Sequence, residues 1–371
     1  MESRAIDRRT LLQAAAAAGA LTTRTRLFGA PGDRDVSWLA EVNRPTVGLQ
    51  SGGGGLSELL VNRQGDRITT LDQWRPKRDE LRQWWLDFLG PMPAERASVP
   101  KLTVVAEDRP EGVIRQLVRY EVEPGIETEA YLLKPAKQAG KARGIAVFHS
   151  TVNYTIRQPA GLEGPPEKHF GLRHAREGCV CFCPRNYLWP TTSEPRLNAA
   201  SEAKKFAERM PNTKGMGKML YDALVAVDIL AALPEVDAAR LGAVGHSLGA
   251  KEALYIAAFD ERIKATVSSE GGIGTRDSNW DAIWYLGPTI KEPSFKHEHH
   301  ELLALVAPRP FLLVGGNSAD GVNGWSFIAA ANDVYELHGK PSRLGFYNHG
   351  KGHAVPPEAE ARIQEWLMTY L

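Results

Sequence analysis

An excess of charge of one sign is what this 371-residue chain lacks: 45 Lys and Arg stand against 44 Asp and Glu, a formal net charge of +1. A surface that tracks phosphates usually leaves a basic excess, so the balance argues against a nucleic-acid or polyanion binder. Cysteine is scarce too. The three, Cys179, Cys181 and Cys183, alternate along one short apolar run. On a strand they all face one way, poorly placed for disulfide geometry and without companions for a zinc site, so they read as core thiols. Beyond the first thirty residues no apolar run reaches 18 residues, which excludes a later membrane span. No internal repeat is visible, and the stretch 31–140 is too short for a propeller, which needs several blades of about 40–50 residues each. The remaining composition, 43% hydrophobic and 24% charged, suits a globular chain that buries a large core.

The first thirty residues differ from the rest. Arg8-Arg9-Thr10-Leu11-Leu12 is followed by the mildly apolar run Gln13 to Leu21. A basic start, a short apolar segment and small residues make an export signal, and the arginine pair points to the bacterial twin-arginine route. The expectation is therefore a signal over 1–30, with cleavage near Ala30 by length, and a periplasmic or extracellular protein. The competing reading is an Ala-rich helix of the fold, which nothing amphipathic supports. Residues 31–98 read as a loop and helical segment packed on a main domain over 99–371. Gly52 to Gly55 follows no convincing strand and reads as a surface loop, not a dinucleotide-binding turn. Leu71, Trp74, Leu81, Trp84, Trp85, Phe88 and Leu89 recur at helical spacing until Gly90-Pro91, and Pro76 lies in the first turns, where proline is tolerated.

Extended segments around 101–107, 113–123 and 129–133 suggest antiparallel strands at a sheet edge. From 144 the pattern alternates: strands at 144–148, 179–183, 241–244, 263–267, 310–314 and 343–347, with helices at 167–177, 213–233, 248–259, 324–338 and 357–371. Such alternation implies an α/β fold with a mostly parallel central sheet and helices on both faces. An insert over 271–309 interrupts the rhythm.

The strongest chemical signal is Gly245-His246-Ser247-Leu248-Gly249, a Gly-x-Ser-x-Gly turn between a buried strand and a helix. Small flanking residues let strand and helix approach, and the turn lifts Ser247 above the sheet as a nucleophile. A serine needs a base. With chain order Ser, acid, His, the base is His353, beside Gly352 and just before the last helix, with His349 as its competitor. The acid belongs after the preceding strand, which selects Asp320; Glu270, at the end of the strand after the nucleophile helix, is the alternative. Oxyanion donors are the backbone N–H groups of Leu248 and of Thr151, with Ser150 next. His297-Glu298-His299-His300-Glu301 is not His-Glu-x-x-His and reads as a structural or solvated cluster. No metal or cofactor is expected.

At these residues the chain resembles the α/β-hydrolase superfamily, and within it the bacterial acetyl xylan esterase and dienelactone hydrolase group. The likeness covers about 100–371 and rests on the serine turn with Ala250-Lys251, Asp260 to Lys264, His300 to Leu305 leading into Ala307-Pro308-Arg309-Pro310, and the terminal Gly352-His353. It implies a carboxylic ester hydrolase without a metal, acting on a small-molecule or plant-type carbohydrate ester, acetyl first. A finer similarity is to glucuronoyl esterases, which carry a lysine four residues after the nucleophile and, in some, a glutamate acid after the next strand; Lys251 and Glu270 match. Those enzymes have an arginine directly after the serine, where this chain has Leu248. The likeness implies Lys251 and Glu270 as substrate contacts, with Lys251 as a lysine on the first turn of the helix, held near Glu252 or Glu270, the equal alternative. Trp280, Trp284, Tyr285 and Trp325 are candidates for stacking on a sugar ring or for packing in the core, Trp284 foremost as a substrate contact. Lactone hydrolysis and non-catalytic binding on the same fold are further alternatives, and oligomeric state is left open.

Overall fold

The computed structural model describes residues 34–45, 55–96, 98–190, 199–339 and 341–371. The expected signal over 1–30 and most of the Gly52–Gly55 loop lie outside them. In chain order the elements are α1 (Leu39–Val42), α2 (Leu71–Leu89), β1 (Thr103–Asp108), β2 (Val113–Glu123), β3 (Ile126–Pro135), β4 (Ala142–Phe148), α3 (Phe170–Arg176), β5 (Val180–Pro184), α4 (Ala199–Arg209), α5 (Gly215–Ala232), β6 (Val236–His246), α6 (Leu248–Phe259), β7 (Ile263–Ser269), α7 (His300–Val306), β8 (Phe311–Gly315), α8 (Gly324–Leu337), β9 (Leu344–Asn348) and α9 (Pro357–Tyr370). The strands form one sheet in the order β1-β2-β3-β5-β4-β6-β7-β8-β9. From β5 to β9 every pairing is parallel, and β1 to β3 extend the sheet antiparallel at one edge.

Both faces are covered, and side-chain alternation assigns each residue to its face. On β5, Val180 and Phe182 join the core built with α2, α5, α6, α7 and α8, whereas Cys179, Cys181 and Cys183 point to the opposite core with α1, α3 and α9. All three cysteines are free and buried, and burial pushes the Cys179 thiol up to about 12. They are core thiols, as their spacing suggested.

Helix α2 starts where a capping box predicts a start: the Thr70 side chain accepts from Gln73 N, and the Gln73 side chain accepts from Thr70 N. Its Trp74, Leu81, Trp85 and Leu89 are buried in the same core as the sheet. Trp85 Nε1 donates to Glu301 Oε2 at 2.7 Å, tying α2 to α7. Three helices go beyond the sequence reading. Helix α4 buries only Ala203 and Phe206, and α1 and α7 have four and seven residues, too few to display a helical period.

Replacing Trp85 with Phe keeps most of the buried ring and deletes one donor to a buried carboxylate. An unfolding free energy lowered by about 1–3 kcal/mol is expected from guanidinium titration; an unchanged free energy would mean that α2 lies outside the cooperative core.

Candidate active site

The chain leaves β4 toward β5 and leaves β6 toward β7, in opposite directions across the sheet. A crevice therefore opens above the carboxyl ends of β4 and β6, where open α/β sheets place their ligands. Ser247 stands on that rim, between β6 and α6, with φ of 60° and ψ of −117°. A left-handed φ at a non-glycine residue costs about 1–3 kcal/mol. Ser247 N donates to Ser269 O at 2.8 Å and helps hold the turn. Both neighbouring glycines are sterically required. A Cβ on Gly245 would collide with the Gly249 carbonyl, and one on Gly249 with the Phe148 carbonyl at the end of β4.

His353 lies in the loop between β9 and α9 with 42% of its side chain exposed. Its ring is 4.6 Å from that of His246, the residue directly before Ser247. The carboxylate against His353 is Glu270, with Oε2 3.2 Å from Nδ1. It is the alternative acid, and Asp320, the first expectation, does not meet the histidine in this arrangement. Asp320 is buried, and its two oxygens accept from Gly272 N at 2.9 Å and Ile273 N at 2.6 Å. The loop after β8 turns Asp320 toward the insert, while Glu270, at the end of the neighbouring β7, faces the histidine. Glu270 also accepts from Gly316 N and Ala319 N. Burial alone would raise its carboxyl, but the bonds from His353, Ala319 and Gly316 outweigh it and hold the group below the ordinary carboxylate range. Asp320 goes the other way: burial lifts it to about 6 against the pull of its two N–H donors. His349, the competitor for the base, accepts from Lys351 N through Nδ1, and the described hydrogen bonds do not join it to Glu270.

Glu270 has φ of 55°, a second strained position, and the three residues after it are clamped. Gly271 O accepts from Lys251 Nζ, Gly272 O from Trp280 Nε1 at 2.7 Å, and Ile273 O pairs with His299 Nδ1 at 2.7 Å. With the two Asp320 bonds, five backbone groups over three residues are fixed. Lys251 is 3% exposed. Its ammonium also meets Ser278 Oγ at 3.1 Å and sits 3.9 Å from the Trp280 ring centroid. It is an internal clamp not open to substrate in this arrangement, and it is held by Gly271 and Ser278 rather than by Glu252 or Glu270. Glu270, expected also as a substrate contact, has both oxygens engaged internally. Trp280 and Tyr285 are buried and unavailable to stack on a sugar; Trp284 and Trp325 are half-buried.

Around the β4 rim, His149 Nδ1 bonds Ser150 O at 2.7 Å and its Nε2 accepts from Asn186 N at 3.1 Å. Burial lowers this imidazole to about 4, so it is neutral. Ser150 N donates to Gln158 Oε1 at 3.0 Å, which removes it as an oxyanion donor. Thr151 is exposed beside it and Leu248 opens α6. Sequence reasoning missed Lys168, whose ammonium donates to His353 O at 3.1 Å; it ends the short 3-10 turn Pro166–Lys168 between β4 and α3 and carries no local signal. The His297–His300 run does not converge on a point. His297 pairs with Glu301 at 2.9 Å, His299 with Tyr255 at 3.0 Å, and His300 with Ser57 O at 3.0 Å.

The sequence profile described as "Dienelactone hydrolase family" matches residues 128–290, which include Ser247 and Glu270 and stop before His353. A putative hydrolase, YtaP, of Bacillus subtilis (strain 168) is 28% identical over 313 residues, spanning 78% of this chain and 100% of that protein. A 4-O-methyl-glucuronoyl methylesterase of Cerrena unicolor is 27% identical over 58% of this chain, and the chain spans only 54% of that protein. Among solved structures, a glucuronoyl esterase from Solibacter usitatus superposes with a TM-score of 0.65 at 18% identity, over 89% of this chain and 99% of that one. A putative acetyl xylan esterase from Bacteroides fragilis gives 0.62 at 15% identity, over 80% of each chain. The fold is that of an α/β-hydrolase.

Burial depresses Lys251 from the ordinary 10.5 to about 7, with Asp320 and Asp277 opposing the shift. Between those values the unfolded chain holds a proton that the folded chain has released, so this group makes stability rise with pH from about 7 toward 10.5. Lys251→Met removes that gain. The stability of the parent minus that of the variant should rise as denaturation is measured from pH 7 to pH 9.5; a constant difference would place the Lys251 proton elsewhere.

Proposed function

We propose that the chain is a serine-dependent carboxylic ester hydrolase acting on an ester of a plant-type carbohydrate. The observation that carries the reading is the His353–Glu270 pair beside the strained Ser247 turn. Ser247 Oγ attacks the ester carbonyl carbon and His353 Nε2 takes its proton. Glu270 accepts the Nδ1 proton, which fixes the tautomer and stabilises the imidazolium as it forms. The oxyanion of the tetrahedral intermediate is held by the N–H groups of Leu248 and Thr151, aided by the N-terminus of α6. The C–O bond to the alcohol then breaks, and His353 returns its proton to the leaving oxygen. Water, activated by the same imidazole, releases the acid and restores Ser247. Lys168 and Gln158 hold the two loops that carry His353 and Thr151.

The substrate is read first as a methyl or related ester of a glucuronate unit. The support is the glutamate at the end of β7 and the names of the curated methylesterases. Acetyl ester cleavage is the second reading, favoured by a specific departure: Leu248 supplies no cation at the oxyanion, and Lys251 is spent inside the fold. The twin-arginine pair at Arg8-Arg9 supports export to the periplasm or beyond.

Two substrates, a methyl glucuronate ester and acetylated xylan, test the reading with the same variants. Ser247→Ala should lower turnover of the preferred ester by about 10⁴-fold or more. Glu270→Gln should lower kcat by on the order of 10³–10⁴, whereas Asp320→Asn should stay within about tenfold of the parent. Faster release of acetate than of methanol selects the second reading. Turnover of neither ester, with no labelling of Ser247 by a fluorophosphonate, contradicts the proposal.

A further inference from the structure

His246, the last residue of β6 and the neighbour of Ser247, is buried and takes no part in the chemistry above. Its side chain leaves the sheet on the face away from α6. Val244, two residues earlier and so on the same face, belongs to the core with α1, α3 and α9. Ser269 stands beside His246 in the parallel register, and its Oγ lies 3.0 Å from His246 Nδ1. The preceding Ser268 points the other way and bonds Ala250 O of α6. The chain from β9 crosses the end of the α9 layer and brings His353 against His246. The two rings meet with centroids 4.6 Å apart and planes tilted by 56°.

His353 itself lies in a loop and is partly exposed. Glu270 Oε2 meets its Nδ1, and the Lys168 ammonium holds its carbonyl. Both contacts lie on the backbone side of the imidazole. The ring can still swing about the line from Cβ to Nδ1, and that swing displaces Nε2, the atom that exchanges a proton with Ser247. His246 stands in its way on the sheet side. The Nε2 of His246 is sealed from solvent and makes no hydrogen bond of good geometry among the described residues. Such atoms are rare, and an apolar side chain would avoid the cost, so a polar ring there signals a role. The ring also brings no charge. Burial first, then the Lys168 ammonium and the His353 ring, hold it well below its ordinary value against the pull of the His353 carbonyl, and His349 adds to the lowering. It is neutral and does not oppose the imidazolium that His353 becomes beside Glu270.

We infer that His246 is a positioning residue for the base: its imidazole, oriented by Ser269, supports the ring and carbonyl of His353 from the sheet side and keeps Nε2 directed at Ser247. The residue before the nucleophile thus sets the direction of the base, while Glu270 sets its tautomer. The inference rests on the esterase reading above, in which His353 is that base.

The test is the rate at which a fluorophosphonate labels Ser247 in the full chain, followed from pH 5 to pH 9, which needs no knowledge of the natural ester. His246→Ala should lower the plateau rate by about 10–100-fold, the scale of a misplaced reacting group. Its affinity for the reagent and its pH midpoint should stay close to the parent's, because Glu270 still holds Nδ1. Ser269→Ala, which frees the His246 ring, should lose less. His246→Gln, whose amide nitrogen reaches the place of the imidazole Nε2, should recover most of the loss. Melting temperatures are recorded for all three. An unchanged plateau in His246→Ala, a displaced midpoint, or an equal loss in His246→Ala and His246→Gln overturns the positioning role. His353→Ala separates the two claims. Labelling at the parent rate in that variant refutes His353 as the base and the inference with it. Labelling abolished in His353→Ala but intact in His246→Ala keeps the esterase reading and overturns the inference alone.

Discussion

The buried carboxylate of Glu270 is the constraint around which the site is organised. At 1% exposure an unpaired carboxylate would cost several kcal/mol, and the left-handed backbone adds its own strain. Two backbone N–H donors from the loop after β8 and the His353 ring offset the first. The second is offset by the five bonds that fix residues 271–273. Without that clamp the peptide after Glu270 could relax, and the carboxylate would swing away from Nδ1. The clamp therefore accounts for residues far from any substrate: Lys251, Trp280, His299 and Asp320 all serve it.

The same clamp gives the insert over 271–309 and helix α2 their place. His299 holds Ile273 on one side and Tyr255 of α6 on the other. Two residues later Glu301 receives Trp85 of α2 and His297, whose ring stacks on Trp84 at 3.3 Å. Contacts thus run without a break from the N-terminal helix through α7 to the turn beside Glu270. These are packing and hydrogen-bond contacts of a single arrangement, and their effect is to make the loop after β7 rigid.

Much of this was legible in the sequence. Strand–helix alternation gave the sheet and its covered faces, because buried parallel strands need continuous apolar runs and the helices between them need an apolar side. The Gly-x-Ser-x-Gly turn placed Ser247, since only small residues permit the approach of α6 to β4. Gly352-His353 picked out the histidine that faces Glu270. Chain order alone favours the loop after β8 for the acid, and Asp320 does sit there, but the carboxylate against His353 is the alternative, Glu270. What separates the two carboxylates is side-chain direction, which follows from the positive φ of Glu270 and from the Asp320 bonds to Gly272 and Ile273. Neither leaves a local sequence signal. Lys251 was likewise ambiguous: a lysine on the first turn of a helix is ordinarily solvated, and only the fold of the insert over it makes it internal.

The most direct measurement of this account is proton NMR of the imidazole Nδ1–H of His353, assigned by selective labelling, in the parent, Glu270→Gln and Asp320→Asn proteins. A strongly downfield, exchange-protected Nδ1 proton is expected in the parent and in Asp320→Asn, and its loss or large upfield shift in Glu270→Gln. Retention of that proton in Glu270→Gln together with its loss in Asp320→Asn would contradict the assignment of Glu270 as the partner of His353.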